Sequence, residues 1–212
     1  MPILNIDFHS AACSINIWLR LNFNCSITNR IVFPLNFKER LKGTYTFKVE
    51  LRLTQMKVLI VYDTVSLMRL TEKVAETISE ALKEKRIEVD SSYVNDANAA
   101  VIKDYDCLIV GAPTMAFRAS NDMRKFLDNL SKEDFSGKLA ATFDTQVQSR
   151  ISGSAVKGIE DKLKKLGFRL ITAPLIAYVE GKMNQMRLKE GELEKAKKWA
   201  QAVAETLQPQ SS

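Results

Sequence analysis

The chain is predicted to be an α/β protein built on a five-stranded, doubly wound parallel sheet, and three observations lead there. The runs Lys57–Tyr62 (KVLIVY) and Asp106–Gly111 (DCLIVG) are short, nearly continuous in apolar residues and rich in β-branched side chains, as expected of strands buried on both faces. Segments with apolar residues at helical spacing follow them. From Met56 onward strands and helices alternate, the pattern of βαβ units and hence of one parallel sheet.

The elements follow in order. After Lys57–Tyr62, a helix over about Leu70–Lys85 places Leu70, Val74, Ile78 and Ala81 on one face, with Ala75 and Leu82 beside them. Ile87–Val94 (IEVDSSYV) is patterned like a strand nearer the sheet edge, and Asn95–Ile102 is a short helix or turn. The strand Asp106–Gly111 is stopped by Gly111-Ala112-Pro113. A helix over about Asn121–Leu130 presents Met123, Phe126, Leu127 and Leu130 together. Leu139–Phe143 is the fourth strand. The next helix, about Ser154–Leu166, turns Ile159, Leu163 and Leu166 inward, with Gly167 as its cap. The fifth strand is Phe168–Ile171, with Pro174–Val179 continuing after a break. The last helix, Glu192–Leu207, faces the sheet with Leu193, Ala196, Trp199, Ala200, Val203 and Leu207.

Residues 1–55 read differently and are treated as an N-terminal extension, followed by a domain over 56–208 and a frayed tail over 209–212. The extension holds the only histidine, His9, and Trp18, and only Thr44–Leu53 alternates like a strand. It is either a small accessory β element or an upstream stretch that is not part of the native product; the expectation here is that the product starts at Met56. Of the 31 basic and 25 acidic side chains, seven and three fall in 1–55, which leaves 24 and 22 for the rest. The positive balance therefore owes much to the first quarter, and basic and acidic residues are interspersed along the later helices, which argues against a nucleic-acid interface. The odd, widely spaced Cys13, Cys25 and Cys107 make no metal pattern and no disulfide framework, so a reducing cytoplasm is the expected compartment. No apolar run is long enough to span a bilayer.

In an open α/β sheet, ligands bind outside the carboxyl ends of the strands where strand order reverses. Three segments lie there: Asp63–Thr71, Gly111–Ala119 and Asp144–Ser154. The first joins a buried strand to a helix N-terminus through a hydroxyl-bearing loop, the geometry that binds phosphate, yet it contains no glycine. Residues 56–212 contain no histidine, which excludes histidine-based triads, general bases and metal ligands there. No paired carboxylates stand at strand ends. A phosphoacceptor receiver would need an aspartate at the end of the third strand, where Gly111-Ala112-Pro113 stands, so that reading fails.

From about residue 57 to 207 the chain resembles the flavodoxin-like family, through VLIVYDT…LTEKVAETI, LIVGAPTMAF…MRKFLDNL, KLAATFDT…SGSAVKGIEDKLKKLGFRLI and LKEGELEKAKKWAQAVA. The last two motifs are similar to those of small stand-alone flavodoxin-domain proteins. The resemblance implies FMN as cofactor, with Thr64 and Thr71 at the leading and closing hydroxyl positions of the phosphate loop and Ser66 as a further donor. Where the family has Gly-Asn this chain reads Leu67-Met68-Arg69-Leu70, about two residues longer. Arg69 either offsets the missing glycine with a charge-assisted phosphate contact or is solvated at the helix start. Pro113, Thr114 and Met115 are implied to face the flavin ring. Phe117 either stacks on it or covers its own loop. Asp144, Thr145 and Gln146 are implied as a rim, with Ser152, Gly153 and Ser154 nearby, Ser154 serving equally well as a helix N-cap.

The function so implied is FMN binding in electron transfer or flavin-dependent reduction, with an unidentified redox partner protein, no nucleic acid and no membrane. Electron-carrier members are typically acidic, unlike this near-neutral domain. Two alternatives stand: a flavodoxin-fold binding or regulatory module without FMN, supported by the glycine-free loop, and an NAD(P)H-quinone reductase, for which no nicotinamide signature is present.

Overall fold

Val58, Leu59, Ile60 and Val61 are all buried, because their strand is sandwiched between helices on both faces. The computed structural model describes residues 14–18, 28–32, 56–148, 153–182 and 185–208; the readings placed on 44–53, on Ser152 and on 209–212 lie outside them. The chain divides into two units, Met1–Arg52 with Gln210–Ser212 and Leu53–Pro209. In the first, β1 (Ser14–Trp18) pairs antiparallel with β2 (Thr28–Val32), Ser14 opposite Val32.

In the second unit, β3 (Lys57–Tyr62) lies between β4 (Glu88–Tyr93) and β5 (Cys107–Met115), parallel to both. A two-residue strand, β6 (Arg118–Ala119), folds back antiparallel on β5. β7 (Leu139–Val147) runs parallel to β5 and is followed by β8 (Arg169–Leu170) and β9 (Leu175–Glu180), both parallel to β7. β10 (Arg187–Leu188) closes the far edge antiparallel to β9. Counted in chain order, the five long strands lie 2-1-3-4-5 across the sheet, a doubly wound arrangement with its switch point beside β3. β4 is an edge, as its mixed pattern predicts.

Alternate residues serve opposite layers. Val58, Ile60 and Ile109 pack under α1 (Leu70–Glu84) and α4 (Glu192–Leu207), with Val74, Ile78 and Val203. Leu59, Val61 and Val110 pack under α2 (Asn121–Asn129) and α3 (Ala155–Lys165), with Met123, Leu127 and Ile159. The segment before β5 forms a 3-10 turn over Ala99–Asp104, capped by the Asn98 side chain. No helix among the described residues is long and apolar enough to cross a membrane.

Two strands run further than their sequence predicts. β5 does not stop at Gly111 but continues to Met115, because Ala112 and Pro113 pair with Asp144 and Thr145. Gly111 is a packing requirement rather than a stop signal: a β-carbon there would lie 1.9 Å from the Phe143 ring. Likewise β7 continues past Phe143 to Val147, held by β5 on one side and β9 on the other. Asp144 and Thr145 are therefore strand residues, whose positions the sheet fixes.

Candidate functional site

The segment after β3 starts from a backbone bond, Asp63 N–H donating to the Gly111 carbonyl at 2.9 Å. The Asp63 carboxylate is buried and accepts the Thr64 N–H at 2.7 Å. Beside it, burial first and the Asp63 charge second push the Tyr93 hydroxyl up from its ordinary pKa. A turn then closes, with Arg69 N–H donating to the Ser66 carbonyl at 3.0 Å. Arg69 takes the left-handed conformation (φ 49°, ψ 45°) that glycine would favour. Its guanidinium grips both carboxylate oxygens of Glu72, and Glu72 also accepts the Tyr62 hydroxyl at 2.8 Å. Burial, reinforced by that bond, pushes Tyr62 up to about 12. Arg69 is thus paired with Glu72 rather than simply solvated. It braces the loop, although its side chain is 64% exposed. Leu67, at the tip, is 92% exposed.

Thr71, in the first turn of α1, is buried with its hydroxyl 2.7 Å from that of Thr145. This contact ties the first segment to β7. The N–H groups of Leu70, Thr71 and Glu72 take no backbone carbonyl; Lys73 is the first to bond back, to Arg69.

The second and third segments meet at one carboxylate. Asp144 is fully buried, and its Oδ2 accepts hydroxyls from Thr114 at 2.9 Å and Ser154 at 2.6 Å. Thr114 Oγ1 in turn accepts the Ala155 N–H, and Ser154 Oγ caps α3 through the Val156 N–H. Burial raises the Asp144 pKa, and the hydroxyl bonds, the Ala155 N–H and the charge of Lys195 oppose that rise without cancelling it. Sequence position marks Asp144 as a rim residue; its role as the brace between β5 and α3 depends on partners that only the fold brings in.

Between Met115 and Arg118, which pair across β5 and β6, the chain turns on two residues. Such a turn normally uses Asn-Gly because both positions need positive φ. Here they are Ala116 (φ 45°) and Phe117 (φ 72°), a strained choice for residues with side chains. Phe117 lies against Gly153, where a β-carbon would come within 2.7 Å of its ring. It thus packs on the segment before α3 rather than under its own loop, while remaining 59% exposed, and Met115 is 49% exposed.

Thr64, Thr71, Thr114, Asp144 and Thr145 therefore converge at the carboxyl end of the sheet, with Pro113 in the adjacent strand and Ser66 in the turn. Among the described residues, the buried side-chain polar atoms without a partner are Thr64 Oγ1, Ser120 Oγ, Asp144 Oδ1 and Gln146 Oε1. All four stand beyond or within the carboxyl ends of β3, β5–β6 and β7. Sequence reasoning placed Gln146 on the rim with Asp144 and Thr145 but did not single out Ser120, Glu72 or Tyr62 as site residues. Ser120 was findable as a serine directly before an apolar helix face, and Glu72 by its i,i+3 spacing from Arg69. The donor set fits a phosphate ester: hydroxyls at Thr64, Ser66 and Thr71 and free N–H groups at the start of α1. Asp144 Oδ1 and Gln146 Oε1 fit N–H donors of a polar ring.

These features define a doubly wound α/β protein with a candidate ligand site at the carboxyl end of its sheet. A Flavodoxin domain family model matches residues 59–204, and the chain belongs to that family. It is 33% identical over 91 residues to a flavodoxin of Clostridium saccharobutylicum, a match covering 42% of this chain and 56% of that protein. Against a flavodoxin of Synechocystis sp. the figures are 30% over 105 residues, 48% and 61%. The matched stretch thus spans about three-fifths of each relative's length. The crystal structure of oxidised flavodoxin 2 from Bacillus cereus superposes with a TM-score of 0.61 at 26% identity, covering 70% of this chain and 98% of that one.

Proposed function

We propose that this chain binds FMN at the carboxyl end of its sheet and serves in electron transfer. Thr64, Ser66, Thr71 and the N–H groups at the start of α1 would hold the phosphate. Pro113, Thr114, Met115, Phe117, Asp144 and Thr145 would border the ring. Arg69 would act indirectly, holding the loop in shape through Glu72. When bound, FMN supplies the electron-accepting chemistry. The chain's own residues would bind and orient it.

The observation that carries this reading is the gathering of three unpartnered buried polar atoms, Thr64 Oγ1, Asp144 Oδ1 and Gln146 Oε1, at the ends of β3 and β7. Each such atom costs about 1–3 kcal/mol, a cost that a ligand's donors and acceptors would offset. The reading goes with a reducing cytoplasm and a redox partner protein. The free Cys107 thiol, which burial pushes up to about 12, is inert in it.

Titrating the purified chain with FMN and with riboflavin tests the proposal. FMN fluorescence should quench at one equivalent with a shifted visible spectrum. Thr71→Ala should weaken FMN at least tenfold and riboflavin much less, since only FMN carries the phosphate. A protein that neither quenches nor shifts FMN refutes the reading and leaves a flavodoxin-fold binding module in its place.

A further inference from the structure

A cleft of about 820 Å³ opens on the α2 side of the β5–β6 turn. Its lining comes from the start of the first loop, from Tyr93, from Met115 and Ala116, and from the segment Arg118–Lys125, with no residue of β7. Phe117 leans the other way, onto Gly153, so the turn separates this cleft from the β7 side. Its volume suits a small molecule.

The lining is chemically lopsided. Its three cations, Arg118, Arg124 and Lys125, outnumber its two carboxylates: Asp122 pairs with Lys125 at 3.2 Å, and Asp63, buried, accepts the Thr64 N–H. Its guanidiniums are not neutralised. Arg124 bonds only to the neutral amide oxygen of Asn121, and Arg118 has no ion-pair or hydrogen-bond partner among the described residues. The N-terminus of α2 points to the same place. Ser120 stands at its N-cap without capping it; the side chain is 6% exposed, lines the cleft, and its hydroxyl is unpartnered. The N–H groups of Asn121, Asp122 and Met123 take no carbonyl, and Arg124 is the first to bond back, to Ser120. An uncapped helix start beside two guanidiniums that make no ion pair among the described residues attracts an anion. Opposite it, Val65 and Met115 are exposed apolar side chains.

We propose that this cleft is a second ligand site that takes a small molecule with an apolar body and a carboxylate or phosphate group. The anionic group would sit on Ser120, the first N–H groups of α2, Arg118 and Arg124, and the apolar body on Val65 and Met115. The turn holds Arg118 in register with Met115, which keeps both residues in the lining. Thr64 and Met115 belong both to this lining and to the proposed flavin border, so the occupant would lie beside the flavin. That placement rests on the FMN reading, whereas the anion site does not.

The test is an amide-resolved NMR titration of the full chain with 2-naphthoate, 2-naphthyl phosphate and uncharged 2-naphthol, with and without FMN. At least one of the two anions should shift the amides of residues 120–124 and bind at least tenfold more tightly than naphthol; which of them does so identifies the preferred group. The Arg118→Gln/Arg124→Gln variant should weaken that anion at least tenfold with an unchanged circular dichroism spectrum. Naphthol binding as tightly as both anions, a double variant with unaltered affinity, or shifts confined to residues outside the cleft would each overturn the proposal. So would displacement of the anion by FMN, which would place it in the flavin site. Failure of FMN to quench, with anion binding intact, refutes the flavin reading alone.

Discussion

Replacing Asp144 separates two roles that its carboxylate combines, hydrogen-bond acceptor and buried charge. One oxygen does all the accepting, from Thr114 and Ser154, while the other has no partner and the side chain is wholly buried. Asparagine keeps a carbonyl oxygen for both hydroxyls and removes the charge. Two bonds to a charged acceptor, about 1.5–3 kcal/mol each, become two neutral ones of about 0.5–1.5 kcal/mol. The raised pKa says that desolvation of the carboxylate outweighs the bonds that favour its ionised form, Lys195 included. Asp144→Asn should therefore match or exceed the native chain at pH 8, by up to about 2 kcal/mol. Asp144→Ala leaves two buried hydroxyls without their acceptor and should cost about 2–4 kcal/mol.

The pH dependence fixes the sign. A group whose folded pKa lies above its unfolded value contributes stability that is complete below the unfolded pKa and is lost as pH rises through the folded one. The advantage of Asp144→Asn should then be greatest at pH 8 and shrink towards acid pH, as the native carboxyl takes up its proton. Urea unfolding of the flavin-free chain at pH 8, 6 and 4 measures this directly. An asparagine variant as unstable at pH 8 as the alanine variant, or one whose advantage grows as pH falls, would refute the reasoning.

Two further substitutions probe the turn. Ala116→Gly removes the left-handed penalty of about 1–2 kcal/mol at φ 45°, less the entropy glycine adds to the unfolded chain, about 0.5–1 kcal/mol. It should raise the midpoint of thermal unfolding, and an unchanged or lower midpoint argues against strain there. Gly153→Ala drives a methyl into Phe117 and should cost about 1–3 kcal/mol. Adding Phe117→Ala should recover most of that loss in a double-mutant cycle, and simple additivity of the two would show that they do not touch.

The fold was legible because its signals are local and redundant. Val58–Tyr62 and the run ending at Gly111 lack polar interruptions, and helical spacing recurs between strands, so the element order, the parallel sheet and the edge position of β4 follow from pattern alone. What escaped were features created by pairing. Pro113 and Gly111 both look like strand breakers, yet β7 recruits them into β5, where Gly111 makes room for the Phe143 ring. The site was legible to the same depth. Position after a strand marks Thr64, Thr71, Thr114, Asp144 and Thr145, but what each touches depends on residues as far away as the 74 positions between Thr71 and Thr145. The two-residue strands β6 and β10 are too short to leave any periodicity.

The missing glycine has a physical resolution. The loop still uses positive φ, at Arg69, and the turn after β5 uses it twice more, at Ala116 and Phe117. Conformations of this kind persist in residues with side chains only where surrounding contacts over-determine them. At Arg69 the clamp on Glu72, itself anchored by Tyr62, does so. At Ala116 and Phe117 it is the β5–β6 register and the bare backbone of Gly153. The remaining left-handed residue with a side chain, Arg86, follows the end of α1, where helix termination makes that conformation routine. Among the described residues, strain that termination does not explain thus falls at the carboxyl end of the sheet, the same end that holds the unpartnered polar atoms. A fold defect has no reason to sort itself that way, whereas a binding site does, because loops held in costly shapes are already arranged for their ligand.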